Sequence, residues 1–248
     1  MIPKKIHYCW LSNNPLPDKI ESCINSWRKL LPDYEIIKWD LNRFPLDKSI
    51  WVKQAFESKK YAFAADYIRL YALVNEGGIY LDSDVEVIKS FDQLLELPYF
   101  ICKENSPKGV EAAIIGSEAH TPFIEKCFDY YKNKSFFNEN GIPNTEVLPS
   151  IMQRIIDDNF SVNYISNINE FIFDSRYVCI FPKDYFSPKN YVNKKIEITA
   201  NTYAIHHFAG SWQPLWKKII LRVWVPFSIK FPKIANRIKV FMISYDNR

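Results

Sequence analysis

Hydrophobic and polar positions alternate along the first half of the chain in a regular succession of strand and helix patterns. Residues 2–11 and 34–39 show the two-residue period of strands, whereas residues 18–30 and the start of 61–86 place apolar side chains every three or four positions, as helices do. A strand–helix–strand–helix order predicts parallel strands joined by crossover helices. The expected fold class is therefore α/β, with a mostly parallel central sheet flanked by helices.

The most informative stretch is residues 61–86, YAFAADYIRLYALVNEGGIYLDSDVE. Its helical part places Asp66 and Arg69 three positions apart, on one face. Gly77 and Gly78 end the helix, because glycine readily takes the positive φ that such a turn requires. The two charged residues have two open interpretations: an ion pair that ties helix to sheet, or groups that bind sugar hydroxyls and a diphosphate.

A short apolar strand then runs directly into Asp82 and Asp84. Two carboxylates so close together repel each other unless a cation or several hydrogen-bond donors lie between them. A hard divalent ion held by few carboxylates, with phosphate oxygens in its remaining positions, fits this arrangement. The alternative is a solvated surface turn, but the preceding helix, glycine pair and buried strand favour a metal–diphosphate site.

A second candidate motif lies in residues 202–213, TYAIHHFAGSWQ. Alternation along a strand directs the side chains of His206 and His207 to opposite faces, so at most one of them faces a metal. The spacing from His207 to Gly210 favours His207 as the ligand, with His206 buried or behind it.

The pattern A-x3-D-x2-R-x3-L-x3-G-G-x-Y-x-D-x-D, from Ala62 to Asp84, resembles the sugar-binding region with a DXD motif of glycosyltransferase family 32. That family includes capsular polysaccharide transferases and initiating mannosyltransferases, and the pattern is distantly similar to the glucosyltransferase domains of large clostridial toxins. The resemblance extends over most of the chain, with little of it between residues 105 and 178.

The resemblance implies a GT-A type, Rossmann-like nucleotide-diphospho-sugar transferase fold with Mn²⁺ or Mg²⁺ as cofactor. It implies catalytic roles for Asp66, Arg69, Asp82 and Asp84. It implies metal ligation by Asp82, Asp84 and His207. It implies donor binding by Trp10, Cys9, Tyr80, Ser211 and Trp212. In this set the Trp10 ring stacks on the base and the backbone near Cys9 reads its edge, while a core position for Trp10 is the alternative.

Charge divides the chain unevenly. Residues 214–248 contain eight basic residues and one acid, a net charge of +7, so the first 213 residues carry −3 of the overall +4. We expect residues 1–213 to form the transferase domain and residues 214–248 a basic, aromatic tail. The tail is either an anchor to an anionic membrane surface or a closing helix that exposes its charges to water.

Composition excludes several classes of protein. The five cysteines are scattered and form no C-x-x-C pair, which argues against a zinc site or a disulfide framework. The N-terminus does not read as a signal peptide, no stretch is apolar enough to span a bilayer, and no nucleic-acid-binding motif is present. We expect a cytoplasmic protein, with a peripheral position on the inner membrane face left open.

The expected function is metal-dependent transfer of a sugar, with retention of configuration, from a nucleotide-sugar to a saccharide or lipid-linked saccharide. Analogy favours a UDP-sugar donor and a role in capsular or other surface polysaccharide synthesis. Two alternatives remain: a toxin-like transferase that modifies proteins, and a non-catalytic module that binds sugar nucleotides or membranes.

Overall fold

The computed structural model describes residues 1–104, 109–190 and 193–210, together with 230, 231 and 234. The chain separates into two compact units, the first comprising Met1–Tyr191 and Lys195–Phe208 and the second Val192–Lys194 and Ala209–Arg248. In the second unit, Lys230 and Ile234 have helical backbone conformation. The basic, aromatic tail predicted for residues 214–248, with its two open interpretations, otherwise lies outside the described residues. No helix within the described residues is long and apolar enough to cross a membrane.

The first unit contains the strands and longer helices described here, and its first half follows the predicted alternation of strands and helices. The strands are β1 (Lys5–Cys9), β2 (Glu35–Trp39), β3 (Gly78–Leu81), β4 (Val85–Val87), β5 (Tyr99–Phe100), β6 (Ile114–Ser117), β7 (Ser161–Tyr164), β8 (Tyr177–Ile180) and β9 (Ala204–His206). The helices are α1 (Asp18–Leu30), α2 (Ile50–Glu57), α3 (Tyr61–Glu76), α4 (Pro122–Asp129) and α5 (Leu148–Asn159).

The central sheet has the strand order β2-β1-β3-β6-β5. Strand β1 pairs in parallel with β2 and with β3, whereas β6 is antiparallel to both β3 and β5. Four of the five strands therefore point the same way, and β6 runs against them. The prediction of an α/β fold with a mostly parallel sheet is confirmed.

Strand order reverses at β1, because β2 lies on one side of it and β3 on the other. Crevices at such reversals, outside the carboxyl ends of the strands, are where open α/β sheets bind their ligands. The register pairs His7 of β1 with Tyr80 of β3. Continued by two residues, it sets Cys9 beside Asp82, so the end of β1 and the aspartate motif meet at one edge of the sheet.

The turn between α3 and β3 needs its two glycines. Gly77 has φ of 61° and Gly78 has φ of 106°, in the region that residues with a Cβ rarely adopt. A Cβ on Gly77 would lie 2.8 Å from the backbone nitrogen of Ala119, and one on Gly78 would lie 2.9 Å from the carbonyl oxygen of Lys5. The chain therefore reverses tightly from α3 into β3, and this sets where β3 ends.

Buried His7 holds the same turn in place through hydrogen bonds of its ring. Its Nε2 lies 2.8 Å from the carbonyl oxygen of Gly77, and its Nδ1 accepts a hydrogen bond of 3.0 Å from Nε1 of Trp39. Because Nδ1 acts as an acceptor, the ring is neutral and Nε2 donates to Gly77. Burial lowers the pKa of His7, which agrees with this assignment. His7 thus joins β1, β2 and the α3–β3 turn.

Two small sheets flank the central one: β4 pairs with β9 in antiparallel, and β7 pairs with β8 in parallel. Strand β7 lies in the segment 158–174, whose pattern is ambiguous. Residues 91–97, whose sequence pattern favours a short helix, contain a 3₁₀ turn at Asp92–Leu94. The β4–β9 pair matters for the site because it places His206 and His207 next to the aspartate motif.

Candidate active site

The Asp-Ser-Asp motif is a tight turn held at both ends by backbone hydrogen bonds. The Asp82 N–H donates to the carbonyl of Ala113 at 2.8 Å, and the Val85 N–H closes the turn onto the carbonyl of Asp82 at 2.9 Å. The His207 N–H donates to the carbonyl of Asp84 at 3.1 Å. The two carboxylates are therefore carried by a backbone that the central sheet fixes on one side and β9 on the other.

Asp82, Asp84 and His206 form a group suited to a metal ion. One ligand atom from each residue lies within 4.8 Å of the others, and His206 Nε2 is 3.6 Å from Asp84 Oδ1. Asp84 is buried at 8% exposure, whereas Asp82 is partly exposed. Two carboxylate oxygens and one imidazole nitrogen fit a divalent cation.

The prediction that His207 is the metal-ligating histidine is wrong in this structure. The antiparallel register of β4 and β9 pairs Val85 with His206 and thereby sets His206 beside Asp84. The His207 ring lies on the other side, where its Nε2 is 2.7 Å from Oε2 of Glu86. The expected alternation holds, but the register of β9 on β4, which no local pattern reveals, decides which histidine faces the carboxylates.

The sequence analysis also missed Glu111. Its side chain is buried at 2% residue exposure, and its Oε1 accepts a 3.0 Å hydrogen bond from the backbone N–H of Ala113. The same oxygen lies 3.4 Å from Nδ1 of His206. Burial opposes both shifts, but the charge of His206 and the hydrogen bonds to Glu111 lower the pKa of Glu111 to about 2, and Glu111 and Asp84 raise the pKa of His206 to about 9. The sequence signal that could have indicated Glu111 is a single acidic residue directly before the apolar run 112–116.

Arg69 joins the central helix to the aspartate motif. Its Nη2 donates to Asp82 Oδ1 at 2.9 Å and lies 3.3 Å from Asp66 Oδ1, while its Nη1 donates to the carbonyl of Ala112. The guanidinium lies over the ring of Tyr80, 4.4 Å from its centroid. The ion-pair interpretation of Asp66 and Arg69 is therefore confirmed, and Asp82 is part of the same pair.

Asp66 lies deeper than expected for an open sugar-binding carboxylate. Its side chain is 13% exposed and faces Arg69 and the backbone N–H of Leu148, where α5 begins. Burial raises the pKa of Asp66 to about 6, against the opposing effect of Arg69. Direct contact of Asp66 or Arg69 with the sugar stays a prediction.

Two of the predicted donor-binding residues are largely covered. Tyr80 is 1% exposed and packs beneath Arg69, so the expectation that its side chain lines the pocket is corrected: Tyr80 supports the guanidinium. Cys9 is half-buried, and burial raises the pKa of its thiol to about 12. The thiol is thus neutral, and base recognition by the Cys9 backbone stays a prediction.

Trp10 follows β1 at the reversal of strand order and is partly exposed, so it is not a core aromatic. Its backbone N–H donates to the carbonyl of Trp39 at 3.0 Å, and its indole N–H donates to the carbonyl of Asn14 at 3.0 Å. These bonds orient the ring at the end of β1, and its stacking on a base stays a prediction. Ser211 and Trp212 lie outside the described residues.

Comparison with solved structures defines the fold class. The chain is similar to mouse xyloside xylosyltransferase 1, with a TM-score of 0.51 at 10% identity over 85% of this chain and 99% of the other. With the sheet order and the aspartate turn at the end of β3, this identifies the fold as the GT-A glycosyltransferase fold.

Sequence comparison finds a family model and several relatives that each match part of the chain or match it at low identity. Residues 17–101 match the model of the family described as "Glycosyltransferase sugar-binding region containing DXD motif". It is 33% identical over 127 residues to inositol phosphoceramide mannosyltransferase 3 of Schizosaccharomyces pombe, covering 50% of this chain and 35% of the relative. It is 26% identical to the uncharacterized glycosyltransferase L373 of Acanthamoeba polyphaga mimivirus, over 86% of this chain and 85% of the relative. The chain thus spans about a third of the first relative's length.

Proposed function

We propose that this protein is a metal-dependent glycosyltransferase that moves a hexosyl group from a nucleoside-diphosphate sugar to a hydroxyl of a saccharide or glycolipid. The observation that carries the proposal is the convergence of Asp82, Asp84 and His206 at the reversal of strand order. A GT-A fold that places such ligands at this crevice has a site for a nucleotide diphosphate.

Asp82, Asp84 and His206 would hold the cation. Bound there, a divalent ion would supply positive charge to stabilise the departing diphosphate. The imidazole nitrogen favours Mn²⁺ over Mg²⁺, because Mg²⁺ prefers an all-oxygen shell. The pair of Arg69 with Asp82 orients one of the two carboxylates, and Asp84 is fixed by the β4–β9 backbone.

For the donor, the partly exposed Trp10 offers a stacking surface for a base, and resemblance favours a UDP-sugar. The name of the fission-yeast relative specifies mannosyl transfer to inositol phosphoceramide, which supports testing GDP-mannose and a glycolipid acceptor as well. The proposed setting is synthesis of a capsular or other surface glycan. Retention of configuration follows the resembled family.

The test is release of nucleoside diphosphate from UDP-glucose, UDP-galactose, UDP-N-acetylglucosamine and GDP-mannose, with Mn²⁺, with Mg²⁺ and with chelator. We expect release from one donor with Mn²⁺, less with Mg²⁺, and none with chelator. Saccharide, glycolipid and protein acceptors are then compared with that donor, which separates glycan synthesis from protein modification.

The matched variants are Asp84→Asn and Asp158→Asn. Asp84 belongs to the proposed site, whereas Asp158 is an exposed residue near the end of α5. We expect Asp84→Asn to lose at least about 100-fold in turnover, consistent with removal of a transition-state charge contact, and Asp158→Asn to match wild type. Donor binding without turnover would favour a non-catalytic sugar-nucleotide module. Chelator-resistant turnover would contradict the metal assignment.

A further inference from the structure

We propose that Glu111 is a positioning residue, which holds the ring of His206 so that Nε2 faces the site formed with Asp82 and Asp84. This inference rests on the proposed metal-dependent function and extends it to a residue outside the DXD motif. Its starting point is a buried carboxylate on the far side of the imidazole from the two aspartates.

The geometry gives the two ring nitrogens of His206 different neighbours. Nε2 lies 3.6 Å from Asp84 Oδ1, whereas buried Nδ1 lies 3.4 Å from Glu111 Oε1. At 3.4 Å the contact with Glu111 is a close ion-pair contact, and it lacks the alignment of a hydrogen bond. A carboxylate facing Nδ1 favours the tautomer with its proton there, which leaves the Nε2 lone pair for a cation.

Glu111 is itself held in place. It is 2% exposed, and the Ala113 N–H bond fixes the same Oε1 that faces His206. Ala113 also accepts, through its carbonyl, the N–H bond from Asp82 that begins the aspartate turn. One short segment at the start of β6 thus locates both Asp82 and the carboxylate behind His206, so the site has a common rigid support.

The position of Glu111 fits this role better than a role in capping alone. A buried carboxylate is costly unless it is paired. Ser187 and the Ala113 N–H also interact with Glu111, and the ionisable group that faces it is His206, 3.4 Å away. Replacing the hydrogen-bonding partner of a metal-bound histidine typically lowers metal affinity by about 10- to 100-fold. The expected effect of Glu111 is therefore on metal affinity, beyond any effect on folding.

The decisive variant is Glu111→Gln, which keeps the length of the side chain and an oxygen for the Ala113 N–H but removes the charge. Mn²⁺ affinity is measured from the electron paramagnetic resonance signal of free Mn²⁺, with and without UDP or GDP. Thermal unfolding without metal reports on folding. We expect Mn²⁺ affinity to fall by about 10-fold or more.

The matched control is Glu86→Gln, which neutralises the equivalent carboxylate at His207, 2.7 Å from that ring. It should leave Mn²⁺ affinity within about twofold of wild type. In the background of His206→Ala, Glu111→Gln should add less than about twofold, because the two residues act through one ligand. If His206→Ala does not fold, the comparison of Glu111→Gln with Glu86→Gln still decides.

The outcomes are distinct. Wild-type affinity in a folded Glu111→Gln variant would overturn the inference and leave the proposed function intact, because capping of Ala113 would then be the role of Glu111. Equal losses in Glu111→Gln and Glu86→Gln would also overturn it, since the effect would be one of general charge. Failure of the wild-type protein to bind Mn²⁺ with either nucleotide would overturn the metal-dependent function as well.

Discussion

Replacing Arg69 with methionine removes a guanidinium that holds three groups at once: Asp82 Oδ1 at 2.9 Å, Asp66 Oδ1 at 3.3 Å and the carbonyl of Ala112. The Arg69 side chain is 6% exposed and that of Asp66 13%, so the loss leaves carboxylates in a poorly solvated position. Breaking a buried ion pair from one side costs about 3–5 kcal/mol. Because the Asp82 side chain is 30% exposed, we expect the lower end, about 3 kcal/mol.

Chemical denaturation without added metal measures this change, and a fall in melting temperature of about 6–12 °C should accompany it. The control is Arg43→Met: Arg43 pairs with Glu76 at 2.9 Å, but its side chain is 41% exposed, and such pairs contribute at most about 1 kcal/mol. Adding Asp66→Asn to Arg69→Met should restore part of the loss. If Arg69→Met costs no more than Arg43→Met, the idea that a buried ion pair ties α3 to the aspartate turn is refuted.

Three further predictions follow from local geometry. The free energy of unfolding should fall as the pH drops below about 6.5 toward the lowered pKa of His7, by up to about 1.4 kcal/mol per pH unit, because the folded state requires neutral His7. In His7→Gln, acid titration followed by circular dichroism should lack this pH-dependent loss of stability. Gly116→Ala should lower the free energy of unfolding by about 1–3 kcal/mol or more, because the new Cβ would lie 2.1 Å from the Phe100 ring. Adding Phe100→Leu to the same chain should recover part of that free energy, and no recovery would contradict this packing of Gly116 against Phe100. Trp10→Ala should weaken nucleotide binding measured by calorimetry by about 1–3 kcal/mol if the ring stacks on the base, whereas Trp10→Phe should lose less.

The sequence predicted the parts of this site that depend on local spacing. The helix period of residues 61–76, the glycine pair and the apolar run before Asp82 define a helix, a turn and a strand end, and the structure has all three. Asp66 and Arg69 share a helix face because helical geometry alone brings residues three apart together. These features needed no knowledge of the rest of the fold.

The features that were missed depend on contacts between distant segments. The pairing of β9 with β4 decides whether His206 or His207 faces the carboxylates. This pairing joins distant segments, since Glu86 and His207 are 121 positions apart in the sequence. The role of Glu111 depends on its contact with His206, which forms only when the segment before β6 packs against β9. Tyr80 was expected in the pocket because of its place in the motif, but packing under Arg69 covers it.

The central claim is that Asp82, Asp84 and His206 together bind the cation that a nucleotide diphosphate needs at this crevice. The most direct test is an anomalous-difference map from crystals grown with Mn²⁺ and UDP or GDP. We predict one strong Mn²⁺ peak within bonding distance of the Asp84 carboxylate and His206 Nε2, with the diphosphate on its open side. A peak at His207 and Glu86, or diphosphate bound at the crevice with no Mn²⁺ beside Asp84, would contradict it.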